Sequence, residues 1–162
     1  MAARATDAET RLMRDDHTAI RLWLRMLATN RLVETRTRRL LQERYATTLP
    51  RFDLMAQLER APKGLKMGEL SRRMMVTGGN VTGITDGLAK EGLVERVADP
   101  DDRRAWLVRL TPAGRKAFAA MAAEHERWIV EAFKELSGRE MATIAALLAR
   151  LKAHVRSLEG KA

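Results

Sequence analysis

The sequence predicts a mostly helical protein that carries a small two- or three-stranded antiparallel sheet. Helical patterns without internal Gly or Pro occupy both ends of the chain. Between them, the short alternating segments Leu93–Val97 and Trp106–Thr111 flank the turn Asp99–Arg104. Because Pro fixes φ and Asp hydrogen-bonds its own backbone, this turn is typical of a β-hairpin. Two short helical segments precede the hairpin, so the pattern predicts a helix-turn-helix followed by a wing.

Composition narrows the class of protein. The 162 residues suffice for one domain with helical extensions, and 46% of them are hydrophobic. The net charge of +9 indicates a polyanionic partner. The absence of cysteine excludes disulfides, thiolate metal sites and thiol redox sensing. No stretch reaches the ~18 apolar residues of a membrane span, and the N-terminus is not a signal peptide, so we expect a cytoplasmic protein without membrane contact.

No catalytic or metal-binding pattern is present. His17, His125 and His154 are far apart in the sequence and have no cysteine partners. We find no Ser-His-Asp arrangement, Gly-rich phosphate loop or paired carboxylates. We therefore expect neither an enzyme nor a site for a metal or cofactor.

The N-terminal part predicts two helices after a flexible, polar segment of residues 1–17. The first runs from about Thr18 to Ala46, and at about 100° per residue its apolar positions share one broad arc. These positions are Ile20, Leu22, Trp23, Leu24, Met26, Leu27, Val33, Leu40 and Leu41. Thr47–Pro50 begins the second helix, and Ala61–Gly64 ends it. Its expected buried positions are Phe52, Leu54, Met55 and Leu58.

The next segment predicts the helix-turn-helix. After a possible short strand at Leu65–Lys66, Met67–Met75 forms a brief helix with Leu70, Met74 and Met75 as its apolar positions. Thr77 is the expected N-cap of a helix at Gly78–Glu91, which Gly92 ends in a left-handed conformation. The inward stripe of that helix is Val81, Ile84, Thr85 and Leu88. The outward positions are Gly79, Asn80, Thr82, Gly83 and Asp86.

The outward face carries groups that suit a DNA major groove. Asn80 can pair bidentately with adenine, and Thr82 can meet a thymine methyl or a phosphate. Thr77 places the amides of the helix N-terminus where a phosphate could bind. Gly79 and Gly83 each cost ~0.8–1.0 kcal/mol relative to Ala. Either close approach to DNA or tight packing on the preceding helix would account for these glycines.

The wing tip supplies Asp102, Arg103 and Arg104 as further candidate DNA contacts. Asp102, or its neighbour Asp101, can hold one arginine through a charge-assisted bond. The other arginine is then free to enter a minor groove. The alternative is a small α+β core whose two arginines are only solvated.

Two further helices follow the wing. Thr111–Pro112 opens a helix that extends to about Leu136, and Ser137–Glu140 has capping-box spacing. The last helix has apolar positions at Met141, Ile144, Leu147, Leu148, Leu151, Val155 and Leu158. Apolar helices at both ends predict a two-fold homodimer, although each end could instead pack on its own subunit. We divide the chain into residues 1–17 (flexible), 18–62 (dimerisation and ligand crevice), 63–116 (DNA binding) and 117–162 (dimerisation).

Polar residues interrupt the apolar arc of the first helix. Asn30, Glu34 and Thr37 lie inside the arc and Arg38 lies at its edge, within a segment, Arg21–Arg44, that has seven basic and two acidic residues. Polar groups on a buried face need partners. These side chains therefore either satisfy one another or line a ligand pocket.

Three motifs resemble the MarR family of bacterial winged-helix regulators. Gly92–Arg96 matches its G-L-V-x-R link, Asp99–Arg104 its D-x-R-R wing and Leu110–Arg115 its L-T-x-x-G junction. With the order of helices, the resemblance covers about residues 18–158. It implies a homodimer joined through its terminal helices that binds a pseudo-palindromic operator in double-stranded DNA. It also implies a repressor that a small anionic aromatic ligand releases.

The resemblance places that ligand between the dimer helices and the winged domain. The implied ligand-binding residues are Trp23, Leu27, Asn30, Arg38, Phe52 and Met55. Leu49–Asp53 and Val76–Gly83 look similar to members that control aromatic-acid catabolism, some of which respond to aryl-CoA thioesters. Gly87 departs from the family, since many relatives carry Arg there, which puts one phosphate contact in doubt. The alternatives are an effector-independent DNA-binding protein and a winged-helix module for protein interaction.

Overall fold

The computed structural model describes residues 8–102 and 105–159, which form six helices and three short strands. The helices are α1 (Ala8–Tyr45), α2 (Leu49–Glu59), α3 (Met67–Met74), α4 (Gly78–Lys90), α5 (Pro112–Phe133) and α6 (Gly138–Glu159). The strands are β1 (Leu65–Lys66), β2 (Val94–Ala98) and β3 (Trp106–Leu110). The predicted fold class, mostly helical with a small antiparallel sheet, is confirmed.

Helix α1 begins earlier than predicted and buries less of its apolar arc. Its start at Ala8 precedes the expected start near Thr18, because the intervening residues include no Gly or Pro and favour helix. Its 38 residues extend about 57 Å, whereas a small domain is only about 30 Å across. Within residues 17–45 of this helix, only Thr37 and Leu41 are buried in the chain, and Trp23 is 58% exposed. The apolar arc predicted for this helix is therefore mostly exposed in the single chain.

The core is built by α2, α3, α4 and the sheet. Strand β3 lies between β1 and β2 and is antiparallel to both. The buried positions of α2, α3 and α4 agree with the predicted inward stripes, except that Met74 and Ile84 are half-buried and Met75 is exposed. The buried side chains are Phe52, Leu54, Met55, Leu58, Leu70, Val81, Thr85 and Leu88 from the helices and Leu65, Val94, Val108 and Leu110 from the sheet.

A tight junction joins the end of the sheet to the start of α5. The Thr111 amide donates to the Leu93 carbonyl at 3.1 Å, and the Thr111 hydroxyl donates to the Gly92 carbonyl at 2.7 Å. The same hydroxyl oxygen accepts from the Gly114 amide at 3.0 Å, which caps α5. A Cβ on Gly114 would lie 1.9 Å from the Leu93 carbonyl oxygen. The L-T-x-x-G motif therefore has a steric reason.

Helices α3 and α4 each end in a hydrogen-bonded turn of the same kind. After α4, the amides of Gly92 and Leu93 donate to the carbonyls of Ala89 and Leu88, with Gly92 at φ +70 as predicted. This pattern is a Schellman motif, in which glycine usually takes the left-handed position. After α3, that position holds Met75, at φ +54.

Met75 was predicted to lie on the apolar inner side of α3, and this prediction is wrong. Helix α3 ends at Met74, so the helical period no longer applies to the next residue. Met75 is instead 86% exposed. A left-handed conformation costs a residue with a Cβ about 1–2 kcal/mol.

The chain divides into two compact units, one up to Met121 and one from Ala122. In the second unit, the Ser137 amide donates to the Glu140 carboxylate and the Glu140 amide donates to the Ser137 hydroxyl, which confirms the predicted capping box at α6. The hydroxyl hydrogen bond lowers the pKa of Glu140. The apolar positions of α6 are exposed in the single chain. No helix in the described ranges has both the length and the hydropathy of a membrane span.

We predict that Gly114→Ala strongly destabilises the protein. The new methyl group would collide with the Leu93 carbonyl, and overpacking of this kind costs about 1–3 kcal/mol or more. Urea unfolding monitored by circular dichroism measures the loss of stability. The matched control is Gly138→Ala at the start of α6, where a Cβ meets nothing within 4 Å. Equal stability of the two variants would contradict this account of the junction.

Candidate nucleic-acid interface

Helix α4 has a buried face and an open face. Val81, Thr85 and Leu88 are fully buried, and they fix the helix against α2 and α3. The candidate DNA contacts Gly79, Asn80, Thr82 and Gly83 are all exposed. Thr82 donates its hydroxyl hydrogen to the Gly78 carbonyl at 3.0 Å, so its methyl group and remaining lone pairs stay available. The outward face thus presents neutral polar groups and backbone to solvent.

The N-terminus of α4 presents unpaired helix amides. Thr77 occupies the predicted N-cap position with an extended backbone, and its carbonyl accepts from the Val81 amide at 3.2 Å. Its side chain makes no capping hydrogen bond, and the first turn contains no acidic residue. The amides of a helix N-terminus attract anions when no side chain satisfies them. A phosphate of DNA is a suitable ligand for such a group.

The exposed glycines of α4 are not required by packing. Among the residues that the structure describes, nothing lies within 4 Å of a Cβ built on Gly79 or Gly83. The explanation by tight packing on the preceding helix is therefore wrong. Close approach of an external molecule is the remaining explanation of the two that we considered.

The wing is anchored to the sheet by an acidic residue that the sequence analysis did not single out. The buried Asp99 carboxylate accepts the Asp101 amide at 3.0 Å and pairs with Lys66 of β1 at 3.0 Å. The hydrogen bond from the Asp101 amide, followed by that from Lys66, lowers the pKa of Asp99. The Asp99 hydrogen bond likewise raises the pKa of Lys66. An Asp directly before Pro in a hairpin turn was the available sequence clue.

The wing tip is described only in part. Asp102 is exposed, and its carboxylate lies 4.0 Å from the Lys66 ammonium. Arg103 and Arg104, the predicted wing contacts, lie outside the described residues. The strands below them are held by the cross-strand pair of Arg109 with Glu95 at 2.8 Å.

Two ion pairs connect α4 to its neighbours. Arg96 of β2 pairs with Asp86, which is half-buried rather than fully outward as predicted. Arg51 of α2 pairs with Glu91, which caps the C-terminus of α4. The hydrogen bond from Arg51 lowers the pKa of Glu91. The orientation of α4 is thus fixed to the wing at one point and to α2 at another.

The candidate ligand-binding residues do not form one cluster within the chain. Trp23 and Arg38 are both on α1, about 22 Å apart along the helix axis, and Leu27 between them is half-buried. Phe52 and Met55 belong to the core, where the Phe52 ring lies 5.4 Å from that of Phe118.

The polar residues of α1 satisfy one another. Glu34 accepts from Asn30 at 3.1 Å and from Arg38 at 3.0 Å, and Thr37 donates to the Val33 carbonyl at 3.0 Å. Of the two alternatives for these residues, mutual satisfaction is observed in the single chain for Asn30, Glu34 and Arg38, whereas the backbone of the helix satisfies Thr37. Arg38 nevertheless also lines a cleft of about 620 Å³ at the turn between α1 and α2. The other lining residues are Arg39, Gln42, Thr47, Thr48, Leu49 and Pro50.

Within residues 8–102 and 105–159, no group of three His, Cys, Asp or Glu side chains is placed to hold a metal ion.

Comparison with known proteins shows similarity to regulators of the MarR family. The profile of the MarR family matches residues 47–106. A crystal structure of a MarR family transcriptional regulator from Silicibacter pomeroyi is 33% identical, with a TM-score of 0.73, over 87% of this chain and 97% of that one. A mutant of MarR from Escherichia coli, complexed with operator DNA, is 27% identical, with a TM-score of 0.64, over 76% of this chain and 91% of that one.

A relative with a named role is BadR of Rhodopseudomonas palustris, described as a transcriptional activatory protein. It is 33% identical over 107 residues, which are 64% of this chain and 60% of BadR. These named relatives are transcriptional regulators and not enzymes.

We predict that Asp99→Asn destabilises the wing in a pH-dependent way. The pKa of Asp99 is lower in the folded state than in the unfolded state. Its contribution to the free energy of unfolding is therefore present above the unfolded pKa of about 3.9 and is lost as pH falls through the folded value. The raised pKa of Lys66 means that its contribution persists below about pH 10.4 and is lost as pH rises through the folded value.

Urea unfolding at stepped pH checks this prediction. The stability difference between the wild type and Asp99→Asn should be constant from about pH 5 to pH 9 and should shrink below about pH 4. A difference that grows toward pH 3 would rule out the proposed anchor.

Proposed function

The chain belongs to the MarR family of winged-helix transcriptional regulators, which bind DNA, and on this premise we propose that it is a homodimeric, ligand-responsive repressor of operator DNA. The observation that carries the proposal is the open outer face of α4. Its inner side chains are fully buried, yet Asn80 and Thr82 are free to meet base edges in a major groove. Arg103 and Arg104 would add contacts from the wing, which the basic tip of the sequence supports.

The dimer is supported by apolar surface in each of the two units. The exposed apolar side chains of α1 include Ile20, Trp23 and Leu24, and those of α6 recur at helical spacing. A soluble monomer rarely exposes apolar stripes of this length, and a second copy would cover them. Two-fold symmetry would then match a pseudo-palindromic operator. We keep the predicted division, with residues 18–62 and 117–162 for dimerisation and 63–116 for DNA.

The effector is proposed to be a small aromatic acid or its CoA thioester. The cleft near Arg38 and Arg39 offers two guanidinium groups, which recognise carboxylates and phosphates through paired hydrogen bonds. The exposed Trp23 and the half-buried Leu27 would serve the same ligand only if a second subunit brought them near a cleft. The likeness to BadR supports a role in aromatic-acid catabolism, and its description as an activatory protein favours activation as the second candidate function.

The route from effector to DNA is proposed to run through α2. Leu49 and Pro50 line the cleft, and the next residue, Arg51, pairs with Glu91 at the end of α4. A ligand that moves the first turn of α2 would therefore change how α4 is held. Such a ligand must bind the DNA-free form more tightly than the DNA-bound form in order to release the operator.

We predict that Gly83→Ala stabilises the protein and weakens DNA binding. The new methyl group has open space and raises helix propensity by ~0.8–1.0 kcal/mol, but it would obstruct close approach of DNA. The probe is a duplex that the wild type selects from a random-sequence pool, and fluorescence anisotropy measures affinity. Gly138→Ala, outside the DNA-binding segment, should change neither affinity nor salt dependence. Affinity equal to that of the wild type in both Gly83→Ala and Asn80→Ala would refute the interface.

We predict that Arg38→Ala abolishes effector-dependent release while it preserves operator affinity. Within the chain, the variant loses an exposed ion pair with Glu34, so the free energy of unfolding should change by at most about 0.5 kcal/mol. Titration calorimetry with benzoate and benzoyl-CoA measures binding, and anisotropy measures release. Arg36→Ala is the matched control, since this exposed arginine lies on α1 outside the cleft. Unchanged ligand affinity in Arg38→Ala would remove it from the effector site, and no response of the wild type would favour an effector-independent regulator.

A further inference from the structure

The turn between α3 and α4 carries an apolar side chain in an unusual place. Met75 is 86% exposed, more than any other exposed large hydrophobic side chain in the described residues. It also has a left-handed backbone, at φ +54. A single exposed hydrophobic residue is ordinary on a protein surface. A non-glycine residue that combines exposure with a left-handed backbone is less ordinary, and such outliers occur often at functional sites.

The turn itself does not require methionine. The amides of Met75 and Val76 donate to the carbonyls of Arg72 and Ser71, at 3.3 and 3.2 Å. Gly92 makes the equivalent hydrogen bonds after α4 and has no side chain that could strain the backbone. Glycine would therefore suit the turn after α3 at least as well. Since the Met75 side chain is not buried, packing within the chain does not explain its presence.

The position of Met75 relates it to the proposed DNA-binding face. Two residues, Val76 and Thr77, separate it from the first turn of α4, whose amides and Asn80 are exposed. On its other side, the exposed Arg72 is in the last turn of α3. A flexible thioether side chain adapts to an irregular apolar surface without a fixed shape of its own. Between these polar groups, it can cover carbon atoms of DNA that they cannot contact favourably.

We propose that Met75 is a DNA contact that packs against a C–H surface of the duplex beside the N-terminus of α4. The proposal rests on the proposed function and adds a residue to its interface. The surface is either the face of a deoxyribose or the C5-methyl group of a thymine, both of which accept an apolar side chain. Contact removes the methionine side chain from water. The free energy gained by this burial offsets the cost of the left-handed backbone, but only in the complex.

The test compares three substitutions at Met75 on the duplex selected by the wild type. Met75→Ala keeps the left-handed strain and removes the thioether, and Met75→Gly relieves the strain as well. Both should bind the duplex roughly tenfold more weakly, while Met75→Gly melts at a temperature equal to or above that of the wild type. Met75→Leu keeps an apolar side chain of similar size and should bind within about threefold of the wild type.

The control for strain is Ala46→Gly, which relieves a left-handed backbone at φ +48 outside the DNA-binding segment and should leave operator affinity unchanged. Replacement of each thymine by uracil distinguishes the two surfaces. Loss of the Met75 effect at one position identifies a thymine methyl, and persistence at all positions identifies a sugar.

Wild-type affinity in Met75→Ala overturns the proposal, and so does a folded Met75→Leu that binds as weakly as Met75→Ala. Asn80→Ala is measured in parallel to separate this outcome from failure of the proposed function. Weak binding by Asn80→Ala together with normal binding by Met75→Ala rejects only the role of Met75.

Discussion

The contact of Thr111 and Gly114 with the backbone of Gly92 and Leu93 is the constraint on which the helix-turn-helix and the wing depend. It joins the end of α4, the start of β2, the end of β3 and the start of α5 within a few residues. Because the hairpin begins and ends at this point, the same hydrogen bonds fix the base of the wing and the C-terminal end of α4. The absence of a side chain at Gly114 lets α5 begin directly against the Leu93 carbonyl. A shift of this junction would move the wing, α4 and α5 together.

Several charged side chains near α4 are held in ion pairs within the chain. Arg72 and Arg73 both pair with Glu69, Arg96 pairs with Asp86, and Arg109 pairs with Glu95. These pairs are largely exposed and contribute little stability individually. They do restrict the orientations of the side chains that surround the open face. In the proposed function, neutral groups such as Asn80 would then contact the base edges.

Features that depend on neighbouring residues were predictable from the sequence. The left-handed Gly92, the Ser137 capping box and the inward stripe of α4 each follow from a few adjacent side chains. The anchor between Asp99 and Lys66 was missed because it needs β1 to pair with β3, which brings distant parts of the chain together. The partner of the apolar arc of α1 could not be identified in the same way, because periodicity identifies an apolar face without identifying what covers it. The same reason explains why the expected ligand residues do not meet within one chain.

The glycine content of α4 has a consequence for its motion. Four of its 13 residues are glycine, and two of them, Gly83 and Gly87, lie in the interior, which together lower helix stability by about 2 kcal/mol relative to Ala. The buried inner face must therefore hold the helix, while its outer backbone hydrogen bonds can open more readily than those of a helix without glycine. Such a helix can bend to follow a groove, but it loses conformational entropy when binding orders it. In the proposed function, such a helix would accept more operator variants, each with a lower affinity, than a rigid helix with the same side chains.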